Sequence, residues 1–178
     1  MSYAPRFCLW CGRRLATVRI EGHRRRRCPR CGWIFYDNAV PAVVGIIRRA
    51  GRLLLTRRAR PPYAGSWDLP GGFLEGGELP EAGLKRELRE ELAVKARGIR
   101  LIGFATDRYG PRGFPVLTMV YRVTIGRAKV RAGDDVSEAR WFDRRAIPLR
   151  EVAFPSMRRL LRGYLVGRAG RPIPLRGK

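Results

Sequence analysis

The sequence predicts an α/β fold that is preceded by a small cysteine-containing subdomain. Short apolar runs typical of strands alternate with two amphipathic helical patterns over residues 37–168. All four cysteines lie before this segment, within residues 1–36. A chain of 178 residues with 45% hydrophobic content suits one ordinary domain with such an appendage, and this content is high enough for a packed core.

The predicted subdomain contains two C-x2-C pairs, each followed directly by a glycine. The pairs are Cys8 with Cys11 and Cys28 with Cys31. Four thiolates at this spacing predict a zinc ribbon, and its Zn²⁺ is expected to be structural because no open position remains for a reacting water. Two disulfides are the competing interpretation. Zinc is favoured because the N-terminus shows no apolar signal segment, so secretion is not expected.

The other elements are predicted from the periodicity of apolar residues. A strand at 16–20 is expected to pair with residues 24–28 across a turn at Glu21 and Gly22. A turn is also predicted at the Pro-Gly-Gly segment 70–72. Further strands are predicted at 39–48, 52–58, 99–106, 116–124 and 139–143. Helices are predicted at 80–93 and 155–166, and a flexible basic tail at 169–178.

The predicted helix at 80–93 carries three glutamates on one face. At about 100° per residue, Glu87, Glu90 and Glu91 lie at positions i, i+3 and i+4. Like charges on one face weaken an isolated helix. A divalent cation reverses this penalty, because Mg²⁺ or Mn²⁺ prefers carboxylate oxygens, with waters and phosphates as the other ligands. The stripe therefore predicts a metal site, with a salt-bridged surface helix as the alternative interpretation.

The segment Gly72–Val94 resembles the Nudix box, G-x5-E-x7-R-E-U-x-E-E-x-G-U, in which U is an aliphatic residue. Gly72 and Glu78 match the first two specified positions, and the cluster at 86–91 matches those that follow. The one departure is Ala93, where the box has glycine. Glycine there suits a left-handed backbone at a helix end, which alanine adopts at a cost of roughly 1 kcal/mol.

The resemblance implies an α/β/α sandwich with a mixed β-sheet over residues 38–168. It also implies a Mg²⁺- or Mn²⁺-dependent pyrophosphohydrolase, which cleaves the phosphoanhydride of a nucleoside diphosphate linked to another moiety. Arg86 is expected to serve catalysis by orienting glutamates through ion pairs. The implied catalytic and metal-binding residues are Glu87, Glu90 and Glu91, with the carbonyl of Gly71 and with Glu78 as further metal positions.

The general base is left open between a glutamate of the helix and an acidic residue late in the sheet. Asp134, Asp135 and Glu138 lie shortly before Trp141, in a region where family members place such a residue. A solvated loop acid is the alternative interpretation for each of the three.

Arg58 and Tyr109 are the candidates for substrate binding. Arg58 ends a predicted strand, where it could meet phosphates, and Tyr109 could stack on a base. Trp67 and Phe114 share the stacking interpretation, with core packing as the alternative. A zinc ribbon before a Nudix domain is similar to the layout of bacterial NADH pyrophosphatases, but residues 103–111 do not match their signature S-Q-P-W-P-F-P-x-S. This departure counts against NADH specificity. The candidate substrates are ADP-ribose, NADH or a related dinucleotide, and nucleotide sugars.

The net charge of +23 arises from 38 basic against 15 acidic residues. Such a surface attracts phosphates and binds nucleic acid at low salt, but an arginine-favouring genomic composition is the preferred explanation because the arginines are spread along the whole chain. The run Arg24–Arg27 motivates an alternative function, a nucleic-acid-binding or nucleotide-sensing regulatory module. The complete glutamate set favours the enzyme.

No apolar run approaches the ~18 residues of a membrane span, so no membrane partner is expected. The expected compartment is the cytoplasm, and the expected partner is a small-molecule nucleoside diphosphate derivative. A nucleic-acid partner and a homodimer remain open at this stage.

Overall fold

The N-terminal part of the chain forms a small antiparallel sheet. The structure, a computed structural model, describes residues 4–110, 113–127 and 129–165. Glu21 and Gly22 both have positive φ between the first two strands, as a type I′ hairpin turn requires, and the predicted hairpin is confirmed. The strands of this sheet are β1 (Ala16–Ile20), β2 (His23–Arg27) and β3 (Ile34–Phe35).

The rest of the described chain forms a mixed sheet enclosed by two helices. Its elements are β4 (Val40–Arg49), β5 (Arg52–Arg58), β6 (Trp67–Asp68), β7 (Gly71–Phe73), α1 (Pro80–Leu92), β8 (Ala96–Tyr109), β9 (Phe114–Ile125), β10 (Val136–Phe142) and α2 (Pro155–Leu165). The strand order is β10-β5-β4-β9-β8, with β6 paired to β5 and β7 paired to β4. β4 and β9 run parallel, whereas the other pairs are antiparallel.

The central strand β4 has two neighbours along one of its sides. On its other side it pairs with β9 from Val40 to Ile47. On the divided side, β7 pairs with residues 42–44 and β5 pairs with residues 48–49. β5 therefore diverges from β4 beyond their hairpin, and the short strand β7 fills part of the gap. We call this arrangement the fork, because it opens the space for the candidate site.

The two helices cover opposite faces of the sheet, which confirms the predicted α/β/α sandwich. Side chains alternate along each strand, so that Val43 and Leu54 face one helix while Val44 and Leu55 face the other. Full burial of a leucine contributes about 1.5–3 kcal/mol, so both helices are firmly held. The buried side chains of α1 are Leu84, Leu88 and Leu92, and those of α2 are Met157, Leu160 and Leu161.

The ends of α1, Pro80 and Leu92, agree with the predicted range 80–93 to within one residue. Pro80 is its first residue, and no side chain caps it because Leu79 precedes it. At the other end, Ala93 has φ 54° and ψ 33°, the left-handed conformation, and its N–H donates to the carbonyl oxygen of Arg89. Alanine thus adopts the backbone that glycine favours at a helix end.

Several predicted boundaries differ from the observed ones. β8 and β9 extend well beyond the predicted ranges 99–106 and 116–124, because register shifts in β8 interrupt the alternation from which its length was predicted. The segment predicted as a Pro-Gly-Gly turn contributes two residues to β7 instead.

Three other predictions about the organisation of the chain are neither confirmed nor contradicted. The tail at 169–178 and the last residue of the second predicted helix lie outside the described residues. The division into domains at residue 36 stays a prediction. None of the helices in the described ranges is long and apolar enough to cross a membrane.

We expect Ala93→Gly to stabilise the protein. Loss of the Cβ removes left-handed strain of roughly 1–2 kcal/mol, and the greater freedom of glycine in the unfolded chain offsets part of this gain. The free energy of unfolding, measured by urea denaturation, should rise by about 0.5–1 kcal/mol. Ala82→Gly, at an exposed position inside α1, is the matched control and should lower that free energy by about 1 kcal/mol. A similar loss in both variants would contradict this account of Ala93.

Candidate active site

A cavity of about 410 Å³ opens at the fork between β4 and β5. Residues of β4, β5, β7 and α1 line it, together with the loop before β10. It is the place where most of the residues predicted from the sequence come together. Those that line it are Arg58, Gly71, Arg86, Glu87, Glu90, Glu91, Tyr109, Asp134 and Asp135.

The backbone of β7 approaches both β4 and α1 closely at its two glycines. A Cβ on Gly71 would lie 2.1 Å from the carbonyl oxygen of Val43, and the φ of Gly71, 138°, is one that side chains rarely adopt. A Cβ on Gly72 would lie 2.5 Å from a carboxylate oxygen of Glu87. The N–H of Gly71 donates to Glu91 Oε2 at 2.9 Å. The absence of side chains on β7 therefore lets the glutamate face of α1 meet the sheet.

Arg86 binds three glutamates at once. Its Nε and Nη2 donate to the two carboxylate oxygens of Glu78 at 3.0 and 2.9 Å. Its Nη1 donates to Glu87 at 2.8 Å and to Glu90 at 3.0 Å, and Nη2 also donates to the Phe73 carbonyl oxygen at 3.0 Å. A guanidinium has five N–H groups, and these bonds use them all. Arg86 therefore positions glutamates and has no donor left for a substrate.

Glu78 does not line the cavity, in contrast to the other glutamates of the predicted metal site. Both of its oxygens accept from Arg86, and Oε2 also accepts the N–H of Glu75 at 3.1 Å. The hydrogen bonds from Arg86 hold the pKa of Glu78 below its usual range. A direct bond from Glu78 to a metal would require this ion pair to break, so the structure does not bring Glu78 to the site.

Glu91 is a buried carboxylate, with 7% of its surface exposed. It forms no ion pair with any residue that the structure describes. Burial raises its pKa well above the usual range, against the opposing effect of the Gly71 N–H, and the charge of Glu87 raises it further. Burial also raises the pKa of Glu87, although Arg86 opposes this. A buried carboxylate without a cationic partner is stabilised by a bound metal ion, so the burial of Glu91 and its hard oxygen donors fit Mg²⁺ or Mn²⁺. Within the part of the chain that the structure describes, no three carboxylates have oxygens that all lie within 4.8 Å of one another.

The loop before β10 is held against the end of α1. The N–H of Gly133 donates to the carbonyl oxygen of Glu91 at 2.9 Å, a group that has no partner within the helix. Asp134 and Asp135 of this loop line the cavity, and the charge of Asp135 contributes to the raised pKa of Glu91. Both aspartates are therefore close enough to act at the same site as the glutamates.

Glu138, the third candidate for the general base, is placed differently. Its carboxylate forms ion pairs with Arg57, at 3.6 Å, and with Arg140. Glu138 does not line the cavity. The structure therefore reduces the candidates for the base to the two loop aspartates and the glutamates of α1.

Arg58 is held at the cavity by polar and aromatic contacts. Its Nη2 donates to the Tyr109 hydroxyl at 3.0 Å, its Nε donates to the Pro62 carbonyl oxygen at 2.8 Å, and its Nη1 lies 3.6 Å from a carboxylate oxygen of Asp68. The guanidinium also lies over the rings of Tyr109 and Phe154, 5.8 and 5.5 Å from their centroids. The two predicted substrate-binding residues, Arg58 and Tyr109, are thus direct neighbours.

The other two aromatic candidates belong to different surroundings. Trp67 is buried, with 3% of its surface exposed, and its ring packs edge-on against Phe142 at 4.8 Å. Core packing is therefore the correct interpretation of Trp67, and base stacking is excluded. Phe114 contacts the ring of Tyr109 at 5.4 Å and supports it from the neighbouring strand β9.

Three acidic residues of the cavity were not predicted from the sequence, namely the exposed Glu75 and the two aspartates Asp68 and Asp107. Asp68 is buried, and burial raises its pKa to about 7 even though Arg58 lowers it. Asp107 accepts hydrogen bonds from the N–H of Ser156, at 3.3 Å, and from the Ser156 hydroxyl at the start of α2. The sequence shows only that each aspartate lies within or beside a strand that contains apolar residues. That these carboxylates belong to the site can be inferred only when the position of the fork is known.

The four cysteines come together in the N-terminal subdomain. The Sγ atom of Cys8 lies 3.5 Å from that of Cys31, and the Sγ atom of Cys11 lies 3.5 Å from Cys28 and 3.7 Å from Cys31. The thiols are free. Zn–S bonds of ~2.3 Å at tetrahedral angles put sulfurs about 3.8 Å apart, so this spacing fits Zn²⁺. Among the described residues, this is the set of potential metal ligands whose donor atoms all lie within 4.8 Å of one another.

Comparison with known proteins defines the class of this chain. Residues 38–164 match the NUDIX domain family, and the chain belongs to the Nudix hydrolases. It is 35% identical to the ADP-ribose pyrophosphatase of Methanocaldococcus jannaschii over 114 residues, which are 64% of this chain and 67% of that protein. Over 170 residues it is 29% identical to the NAD-capped RNA hydrolase NudC of Pseudomonas syringae pv. tomato, covering 96% of this chain and 59% of that protein.

A solved structure resembles nearly the whole chain. A NUDIX hydrolase from Nitrosomonas europaea superposes with a TM-score of 0.77 and 31% identity, covering 94% of this chain and 95% of that one. By contrast, the chain spans about three fifths of the length of the NudC relatives. The family, the fold class and the enzyme class predicted from the sequence are confirmed, whereas the cytoplasmic location and the homodimer stay predictions.

We expect Asp68→Asn to change how stability depends on pH. The pKa of Asp68 in the folded protein, about 7, lies above its value in the unfolded chain. The contribution of Asp68 to the free energy of unfolding is therefore fully present below about pH 4 and is lost as the pH rises through 7. Asparagine stays neutral and can still accept the N–H of Leu69. At pH 8 in EDTA, the variant should exceed the wild type in unfolding free energy by up to roughly 4 kcal/mol, with no difference near pH 4. Urea denaturation at both pH values measures this, and parallel pH profiles would contradict it.

Proposed function

We propose that this protein is a Mg²⁺-dependent hydrolase that cleaves the phosphoanhydride of a nucleoside diphosphate linked to another moiety. The observation that carries the proposal is the composition of the cavity. It combines carboxylates of α1, including Glu91, which has no ion pair within the described residues, with the cationic Arg58 and the ring of Tyr109. A diphosphate linked to a base requires all three kinds of group. A metal ion held by the carboxylates, together with the arginine, neutralises the diphosphate charge, and the aromatic ring contacts the base.

The carboxylates of Glu87, Glu90 and Glu91 would hold the Mg²⁺ or Mn²⁺ ion, and the Gly71 carbonyl is a further candidate ligand. Burial of Glu91 without a cationic partner supports this assignment. When bound, the ion neutralises phosphate charge and makes a water more nucleophilic. Arg86 positions Glu87 and Glu90 through its hydrogen bonds and does not contact the substrate.

Asp135 is the residue we assign as the general base. It lines the cavity, and its loop is fixed to the end of α1, which keeps its position constant relative to the glutamates. As the oxygen of the attacking water bonds to phosphorus, the carboxylate of Asp135 takes the proton. The bond from that phosphorus to the bridging oxygen breaks, and two phosphate monoesters leave.

Arg58 and Tyr109 would bind the part of the substrate that does not react. The guanidinium of Arg58 offers positive charge to a phosphate, and the ring of Tyr109 offers a stacking surface to a base. Their hydrogen bond and the contact with Phe154 fix both side chains before substrate binds. Such preorganisation lowers the entropic cost of binding.

The cysteine cluster is proposed to hold one Zn²⁺ ion with a structural role. Its sulfur spacing fits a tetrahedral site, and four thiolates fill every position of such a site. The subdomain has a small buried core, made mainly of Leu15, Cys8 and Cys28. Metal binding would therefore supply much of its folding free energy.

Replacing Glu91 by glutamine should lower turnover by about a hundredfold or more, because a neutral amide is a poor ligand for a hard cation. Glu90→Gln should act in the same direction. The measurement is AMP release from ADP-ribose in the presence of Mg²⁺, with a thermal melt to show that each variant is folded. Glu81→Gln, on the same helix but away from the cavity, is the control and should keep wild-type turnover. Rates equal to wild type in both site variants would overturn the assignment.

Asp135→Asn is expected to lower kcat by about 10²–10⁴-fold while KM changes little, because loss of a general base affects the transition state. Glu138→Gln is the matched control, since Glu138 lies in the same region but outside the cavity; its kcat should stay within about twofold of wild type. Steady-state kinetics on ADP-ribose measure both. A large loss in Glu138→Gln alone would show that the base has been assigned to the wrong residue.

The substrate is best identified with a panel of compounds. ADP-ribose comes first because the M. jannaschii relative is named an ADP-ribose pyrophosphatase. NADH, NAD⁺, diadenosine polyphosphates, nucleoside triphosphates and sugar nucleotides complete the panel, with mononucleotide release as the readout. Binding of one of these compounds without release of any product would favour the alternative function, a nucleotide sensor.

A further inference from the structure

The surface of the N-terminal subdomain is strongly basic and also exposes apolar side chains. We propose that this surface, formed by the tip between the first two cysteines and by the β1–β2 hairpin, binds single-stranded nucleic acid. We call it the ribbon surface, and the residues assigned to binding are Trp10, Arg13, Arg14, Arg19 and Arg24. This binding is separate from hydrolysis in the cavity and can be tested without it.

The charge of the ribbon surface exceeds that of the chain as a whole. Residues 4–36 contain nine arginines and a single carboxylate, Glu21, against 38 basic and 15 acidic residues in the full sequence. None of these nine arginines forms an ion pair with another residue in the described part of the chain. Their charge is therefore available to an external polyanion.

Two arginines face each other directly across the hairpin. Arg19 and Arg24 are paired residues of β1 and β2, and both are exposed. Like charges at directly opposite positions destabilise a strand pair, and a phosphate bound between them removes that repulsion. This pair therefore gains from contact with a nucleic-acid backbone, whereas an isolated surface arginine would gain little.

The tip of the subdomain exposes a flat aromatic ring. Leu9 and Trp10 are 77% and 78% exposed, which is unusual for side chains of this size. The N–H of Cys8 bonds to the Arg13 carbonyl oxygen, and Phe7 forms a bridge with Arg14, so basic residues flank the tip. An exposed ring beside cations is the arrangement on which bases stack while phosphates are neutralised.

The ribbon surface is tied to the cavity by a short connection. Five residues lie between Tyr36, at the end of the subdomain, and Ala42, which lines the cavity. A chain of this length spans at most about 20 Å. If the proposed function holds, a polynucleotide with its terminal diphosphate in the cavity therefore begins within about 20 Å of the subdomain's last residue. The binding itself does not rest on that function.

The first test measures the affinity of the full-length, zinc-loaded protein for labelled single-stranded RNA and DNA oligonucleotides by fluorescence anisotropy at about 0.15 M salt. Trp10→Ala should weaken binding about tenfold, and Trp10→Phe should restore most of the loss. Leu9→Ala, which removes an equally exposed apolar side chain without a ring, should change affinity less than twofold. Better binding of RNA than DNA, or the reverse, would identify which polymer is preferred.

The second test compares two arginine pairs of the same geometry. Arg100 and Arg122 are also directly opposed and exposed, on β8 and β9, so Arg100→Gln/Arg122→Gln is a charge-matched control. Arg19→Gln/Arg24→Gln should weaken binding and reduce the slope of log affinity against log salt by about 1.4, the value for two phosphate contacts to a single strand. The control pair should leave that slope unchanged.

Four results would overturn the proposal, and the last of them would replace it by a contact between two copies of the chain. The first is no binding at about 0.15 M salt, and the second is equal losses in the two arginine double variants. The third is that Trp10→Ala weakens binding to inorganic polyphosphate, which has no bases, as much as binding to RNA. A change in molecular mass by light scattering in Leu9→Ala and Trp10→Ala, with RNA binding unaltered, would assign this surface to a second copy of the chain. Zinc content per chain shows that each variant keeps its fold.

Discussion

The close contact at Gly71 is the constraint on which the site depends. β7 fits into the fork because Gly71 has no side chain to meet the Val43 carbonyl oxygen, 2.1 Å from where a Cβ would lie. The N–H of the same residue fixes the carboxylate of Glu91. One glycine therefore sets the distance between the central strand and the acidic helix. A larger residue would separate β4, β7 and α1, and with them the walls of the cavity.

The acidic residues of the cavity are stabilised unequally. Glu87 and Glu90 share the guanidinium of Arg86, which uses every donor on glutamates and on the backbone. Glu91 and Asp68 are buried with raised pKa values, because nothing in the described chain fully compensates their charge. Uncompensated charge costs stability, and it is typical of sites that bind a cation or react. The carboxylates of Glu91 and Asp68 are therefore the part of the cavity whose charge a bound cation would compensate.

The sequence predicts the local parts of this site better than the parts that depend on topology. The glutamate stripe follows from helical periodicity alone, and the left-handed end of α1 follows from the box position of Ala93. Asp68 and Asp107 could not be found, because their burial depends on where β5 diverges from β4. The Pro-Gly-Gly segment 70–72 was predicted as a turn, although two of its residues belong to β7, because the partner of β7 in β4 lies far earlier in the chain. Glu78 fits the motif, yet Arg86 draws it away from the cavity, and no spacing rule shows this.

The loop that carries Asp135 has no independent freedom relative to α1. The N–H of Gly133 caps the helix at Glu91, and a Cβ at position 133 would lie 2.9 Å from the Glu90 carbonyl oxygen, so even alanine would push the loop outwards. The last turn of α1 and this loop are therefore expected to unfold together, since opening either one breaks the hydrogen bonds from Gly133 and Arg131 to the helix end. A ligand that orders either segment orders both, and the affinity of the site for its substrate is coupled to the local stability of the helix end.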